Sequence, residues 1–135
     1  MKNIEIIQAH YDSSAAGDLD GMVKNFSTKM RWTEAAGFPL AGTYVGTPAI
    51  IEGVFKRIQE DWADFRVDVR EILDADTAII SHGTYSAKNR ATSKPFKVRF
   101  VHIWRLENGQ ITEFEQVVDS SPVVATMPFG ARRLT

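Results

Sequence analysis

Phe96-Lys97-Val98-Arg99-Phe100-Val101-His102-Ile103-Trp104-Arg105-Leu106, Glu107-Asn108-Gly109 and Gln110-Ile111-Thr112-Glu113-Phe114-Glu115-Gln116-Val117-Val118-Asp119 follow one another without a gap. Side chains alternate across a strand, so residues two apart share a face. Val98, Phe100, His102 and Trp104 then line one face of a strand over Phe96–Leu106, with Lys97, Arg99 and Arg105 among its alternating polar positions. Asn-Gly tolerates positive φ at both centres of a tight turn, so Glu107-Asn108-Gly109 predicts a hairpin into a strand over Gln110–Asp119. The same period runs upstream. Phe65–Leu73 is a strand, Asp74-Ala75-Asp76 a turn, Thr77–Ala87 a strand and Lys88–Lys94 a polar loop. Four strands with short connections predict an antiparallel meander.

Before Phe65 the period is helical. Ile4, Ile7, Tyr11 and Ala15 predict an amphipathic helix over residues 3–16. Gly17 suits its left-handed end, and Asp18 suits the cap of a second helix carrying Leu19, Met22, Val23 and Phe26. Met30-Arg31-Trp32-Thr33-Glu34 alternates as a short first strand. Residues 35–46, with Gly37, Pro39, Gly42 and Gly46, read as a loop. Thr47-Pro48 predicts a third helix capped by Thr47, with Ile51, Val54, Phe55, Ile58 and Trp62 on one face. Three helices followed by a meander define an α+β chain. A long twisted sheet folded over its helices makes a curved, cone-shaped enclosure, and such concave apolar spaces are the usual small-molecule sites.

The 135 residues suit one domain over 1–135, with its core over about 3–120 and a tail over 121–135. In that tail Val123, Val124, Met127 and Phe129 are apolar enough to dock, whereas Arg132-Arg133 is expected to stay in solvent. Sixteen basic residues against seventeen acidic ones leave no broad positive surface for nucleic acid. No apolar run reaches the ~18 residues of a membrane span, and Met1-Lys2-Asn3-Ile4-Glu5 does not read as a secretory signal. The absence of cysteine removes disulfides and thiol chemistry and fits a cytoplasmic location. His10, His82 and His102 lack a close metal-binding spacing, so no metal and no cofactor are expected.

The corner Gly17-Asp18-Leu19-Asp20, the strand Arg31-Trp32-Thr33-Glu34, the segment Gly42-Thr43-Tyr44-Val45-Gly46 and the turn Asn108-Gly109-Gln110-Ile111 occur in the order seen in the NTF2-like superfamily. The chain resembles its branch of ketosteroid isomerase and SnoaL-like polyketide cyclases over about residues 3–120. The resemblance implies a cone-shaped α+β barrel, a homodimer formed through the sheet, and a pocket for a small apolar ligand. It also implies cofactor-free acid–base chemistry, such as isomerisation, cyclisation or dehydration, on a carbonyl compound. The fold also hosts non-catalytic binding and dimerisation modules, which is the alternative.

By this resemblance Glu34 falls near the isomerase's catalytic base. A carboxylate at an apolar wall is desolvated, which raises its pKa and makes it a better proton acceptor near neutrality. His102 matches the oxyanion-stabilising acid of the isomerase and a catalytic histidine of scytalone dehydratase. Histidine is not the isomerase's acid, so steroid isomerisation itself is not implied. Asp119 orients His102, acts as a second carboxylate, or caps the turn into Ser120-Ser121-Pro122. His82 faces inward to pair with His102, or Ser81, Gly83 and Tyr85 do; the second register is favoured. Counting back from the corner, His10 takes the place of the isomerase's oxyanion tyrosine. Tyr11 lies on the apolar stripe with its hydroxyl toward the pocket. Trp32, Phe38, Tyr44, Phe55, Tyr85, Phe100 and Trp104 are the expected substrate-shaping residues.

Overall fold

A computed structural model describes residues 1–128. Helix α1 (Asn3–Ala15) buries Ile6, Ile7, His10 and Tyr11. Gly17 follows at φ 71°, the left-handed geometry that glycine adopts at little cost. Asp18 accepts a hydrogen bond from the Gly21 N–H at 3.0 Å and so caps α2 (Leu19–Val23).

Phe26, expected on the stripe of that second helix, instead begins strand β1 (Phe26–Glu34). An irregularity between Phe26 and Arg31 interrupts the pairing of β1, so only its second half alternates legibly. The expected loop contains a further strand, β2 (Gly42–Val45), paired antiparallel with Arg31–Glu34. Its four residues include none that is fully buried. The neighbouring edge, rather than its own pattern, makes it a strand.

Helix α3 (Thr47–Ile50) continues through a π-helical turn (Ile51–Phe55) into α4 (Lys56–Asp61). The cap is Gly46 at φ 86°, not Thr47, and Pro48 sits in the first turn. Ile50 and Val54 are buried, whereas Trp62, expected at the end of this helix, opens strand β3 (Trp62–Asp74). Tyr44 lies so close to Gly53 that any Cβ there would overlap its ring.

Strands β3, β4 (Ile79–Asn89), β5 (Pro95–Glu107) and β6 (Gln110–Val118) form the expected antiparallel meander. Asn108 and Gly109, at φ 50° and 77°, make the β5–β6 turn. The sheet has six strands in the order β2-β1-β6-β5-β4-β3, and β1 lies parallel to β6. The two strands are joined by a long connection, so no hairpin sets their relative direction. Register shifts in β3 between Ala63 and Arg66, and between Val69 and Glu71, accompany the curvature of this unclosed sheet. Beside the second shift Gly83 approaches Asp68 so closely that a Cβ would overlap the Asp68 carbonyl oxygen.

The tail docks beyond the expected end of the core. Helix α5 (Ser121–Val124) buries Val123. Trp62 Nε1 donates to Thr126 Oγ1 at 3.4 Å, and Thr92 Oγ1 donates to the Thr126 carbonyl at 2.5 Å. Phe129 and Arg132-Arg133 lie outside the described residues.

Candidate active site

One polar row crosses the apolar inner face of the sheet. Ser81 on β4 pairs with His102 on β5, and His102 pairs with Gln116 on β6. Thr33 pairs with Glu115, which sets Glu34 beside Gln116. Ser81, His102, Gln116 and Glu34 are all buried. Phe100 stacks on His102 at 4.1 Å between ring centroids, and Phe114 meets it edge-on at 4.7 Å. Buried polar groups need partners, and this row finds most of them internally.

Tyr11 Oη lies 2.6 Å from Ser81 Oγ and 2.5 Å from His102 Nδ1. Tyr85 Oη is hydrogen-bonded to His102 Nε2. Trp104 Nε1 donates to Tyr11 Oη at 3.0 Å. The Ala35 N–H donates to Gln116 Oε1 at 3.2 Å, which leaves Gln116 Nε2 to donate to Tyr85 Oη at 3.0 Å. Burial, with a smaller repulsion from His10, holds the His102 pKa well below its usual value, so the ring stays neutral. A neutral imidazole has one N–H and one lone pair. One tautomer donates from Nε2 to Tyr85 and accepts from Tyr11. The Tyr85 hydroxyl proton is then unspent.

Glu34 is the exception in this row. Its Oε2 is buried without a hydrogen-bond partner, as is Trp32 Nε1 two residues earlier on the same face. Desolvation raises the Glu34 pKa from 4.5 to about 8, and the nearby Trp32 indole offsets a small part of that rise without closing a hydrogen bond. Burial, and then the charge of Glu34, pushes the Tyr85 hydroxyl well above its usual value. The two groups therefore sense one another across the same cavity.

That cavity is partly open to solvent, measures about 830 Å³ and is walled by helices and sheet. Of the expected site residues, Glu34, His102, Tyr11, Trp32, Phe55, Tyr85 and Trp104 line it. Phe38 and Phe100 are buried core residues outside the lining, Phe100 stacking on Tyr85 at 4.4 Å. Tyr44 lies over Gly53 and donates from its hydroxyl to the Leu40 carbonyl at 2.8 Å. Asp119 is exposed past the end of β6, outside the cavity lining, and its N–H donates to the Arg99 carbonyl at 3.4 Å. Ser81 and Tyr85 face inward. His82 faces outward, 2.9 Å from Glu71 Oε1 and 2.9 Å from Arg99 Nη2. Gln116 escaped the sequence reading, although a polar residue two places after Phe114 on the inward parity was a usable signal. Among the described residues no group of three or more His, Cys, Asp or Glu could hold a metal ion, and no helix is long and apolar enough to cross a membrane.

A curved sheet, a helical cover and a half-polar cavity of this kind define an NTF2-like α+β protein. The SnoaL-like domain family matches residues 7–114, and the chain belongs to that family. An NTF2-like protein from Burkholderia thailandensis E264 is similar at 36% identity, with 95% of this chain and 99% of that one covered and a TM-score of 0.92. An NTF2-like protein of unknown function from Burkholderia pseudomallei K96243 shares 25% identity over 93% of this chain and 98% of its own, with a TM-score of 0.85. TerC, co-crystallized with polyporic acid, has a TM-score of 0.82 over 92% of this chain and 96% of its own; at 23% identity that likeness carries the fold alone. No curated protein matches the chain.

Proposed function

We propose that this chain is a cofactor-free acid–base enzyme acting on a small, largely apolar carbonyl compound. The observation that carries this reading is Glu34, a buried carboxyl with an unpartnered oxygen in the wall of an aromatic cavity. A carboxylate with a pKa of about 8 is a far stronger base than one in water. Once ionised, Glu34 takes the proton from the carbon next to the substrate carbonyl. Negative charge then grows on the carbonyl oxygen. In the Nε2–H tautomer of His102 the Tyr85 hydroxyl is unspent and donates to that oxygen, and hydrogen bonds from Gln116 and His102 to the Tyr85 oxygen make it a better donor. His102 acts through its tyrosines, because both of its nitrogens are already occupied. Protonation of the enolate at another carbon, ring closure or loss of a hydroxyl completes an isomerisation, a cyclisation or a dehydration.

Glu34→Gln removes the base at nearly constant shape. Screened with enones, polyketide-like aromatics and steroids, the variant should lose about 10²–10⁴-fold in turnover and keep its ligand affinity. The rate of the native chain should rise with pH through about 8, because only the ionised carboxyl accepts a proton. Unchanged turnover in the variant would refute the assignment. A second reading, a non-catalytic binding module, is favoured by the same pKa: at neutral pH Glu34 is mostly a neutral hydrogen-bonding acid. Thermal stabilisation by a ligand without turnover at any pH would select it. In either case two copies pair through the outer sheet face, where Val101 and Ile103 are only partly buried and Val117 is 52% exposed. Sedimentation that shows a monomer would refute the pairing. The cysteine-free sequence suits a cytoplasmic location for it.

A further inference from the structure

The hydrogen bonds on the inner face leave a polarity pattern that the proposed chemistry does not use. Ser81, Tyr11, His102, Tyr85 and Gln116 spend most of their donors and acceptors on one another. His10 stands apart from that network. Its Nδ1 lies 2.9 Å from the carbonyl oxygen of Met22. A carbonyl can only accept, so Nδ1 carries the proton and donates it. The ring is 5% exposed, and burial lowers its pKa to about 4, so it stays neutral at ordinary pH. Its second nitrogen, Nε2, is therefore a bare lone pair. Among the described residues no side chain or backbone donor is hydrogen-bonded to it, and the ring lines the cavity.

The aromatic setting makes this acceptor directional. Trp104 meets the His10 ring edge-on at 4.9 Å, Phe26 stacks at 6.0 Å and Trp32 is tilted at 6.2 Å. Trp32 also precedes Glu34 by two residues on the inward face of β1, so its indole neighbours both His10 and Glu34. The basic residues of the cavity, Lys56, Arg66 and Arg90, are exposed at its rim. Among the described residues no cation lies inside for a carboxylate or a phosphate.

We propose that His10 Nε2 accepts a hydrogen bond from a hydroxyl group of the bound molecule, so that this cavity selects, among uncharged ligands, those that present a free hydroxyl to the first helix. The inference rests on the cavity and the carbonyl chemistry proposed above and adds a second polar anchor to it. The carbonyl end lies at Glu34 and Tyr85, the hydroxyl end at His10, and the ring system between them runs along the Trp32 indole. The polarity is opposite to that of a tyrosine at this place on the first helix, which would donate. A ligand with a free hydroxyl is therefore preferred here over its methyl ether.

The test needs no knowledge of the natural ligand. 2-Naphthol and 2-methoxynaphthalene are titrated into the full chain labelled with ¹⁵N at histidine, and affinity and imidazole nitrogen resonances are followed together. The expected result is an unprotonated Nε2 on His10 in the free protein, a shift of that resonance with 2-naphthol only, and about tenfold tighter binding of 2-naphthol than of its ether. His10→Phe should erase the preference while still binding the ether. The resonance measurement on the native chain stands whether or not that variant folds. A protonated Nε2, an unmoved Nε2 with 2-naphthol bound, or equal affinities would overturn the proposal while leaving the Glu34 reading intact. Failure of both probes to bind would overturn the aromatic cavity on which both rest. Loss or retention of turnover in Glu34→Gln bears on the Glu34 reading alone.

Discussion

Glu34→Gln should stabilise this protein, and increasingly so as the pH rises. The carboxyl has a pKa of about 8 in the folded chain against 4.5 for the same side chain in water. Between these values the unfolded chain has released the proton and the folded chain still holds it, so folding takes up a proton. Stability attributable to this group is complete below pH 4.5 and is lost as the pH climbs through about 8. A tenfold difference in proton affinity is worth about 1.4 kcal/mol, so the full loss is about 5 kcal/mol. That is a large fraction of the roughly 5–15 kcal/mol that holds an ordinary domain together. Glutamine keeps the shape and has no proton to lose. Urea unfolding of both chains at constant m-value is the assay. The stability difference in favour of the variant should grow by about 4 kcal/mol between about pH 5 and about pH 9. Parallel curves over that range would show that Glu34 is solvated in the native state. Glu34 would then be an ordinary carboxylate rather than a strong buried base.

On the acid side the sign reverses. The pKa of His10 is lowered by burial from 6.5 to about 4, so stability present above pH 6.5 should fall by about 3 kcal/mol as the pH drops toward 4, with His102 adding in the same direction; a flat profile in urea titrations would contradict both neutral rings. Tyr85→Phe leaves the Gln116 amide and His102 Nε2 without a shared partner and should destabilise the chain by about 1–3 kcal/mol in chemical denaturation; a neutral change would place water in that gap. Gly83→Ala forces a Cβ onto the Asp68 carbonyl oxygen and should cost about 3 kcal/mol or more, read as a lowered melting temperature, whereas a tolerated alanine would mean that β3 and β4 separate there.

The elements legible in advance were those whose burial is one-sided and regular. Strands β4 and β5 alternate cleanly and β6 does so from Phe114 onward, and the Asn108-Gly109 turn declares itself because few other pairs accept its backbone geometry. The Asp18 cap could be read for the same kind of reason, since its partner lies three residues away. Phe26 misled because helix and strand both place an apolar residue there, and the pairing shift in β1 hides its alternation. Strand β2 has no buried residue to announce it.

The class of fold, the shared parity of Glu34 with Trp32 and of His102 with Trp104, and the exclusion of thiol chemistry were legible along the chain. Local periodicity and composition carry that much, because each depends on neighbours a few residues away. The parallel pairing of β1 with β6, the place of Asp119 outside the cavity lining, and the hold of Tyr11 and Tyr85 on the two nitrogens of His102 emerge only when the chain is folded. Those facts join residues up to 91 positions apart. The protonation of a buried ring depends on which distant carbonyl or hydroxyl meets each nitrogen, and no pattern along the chain encodes that meeting.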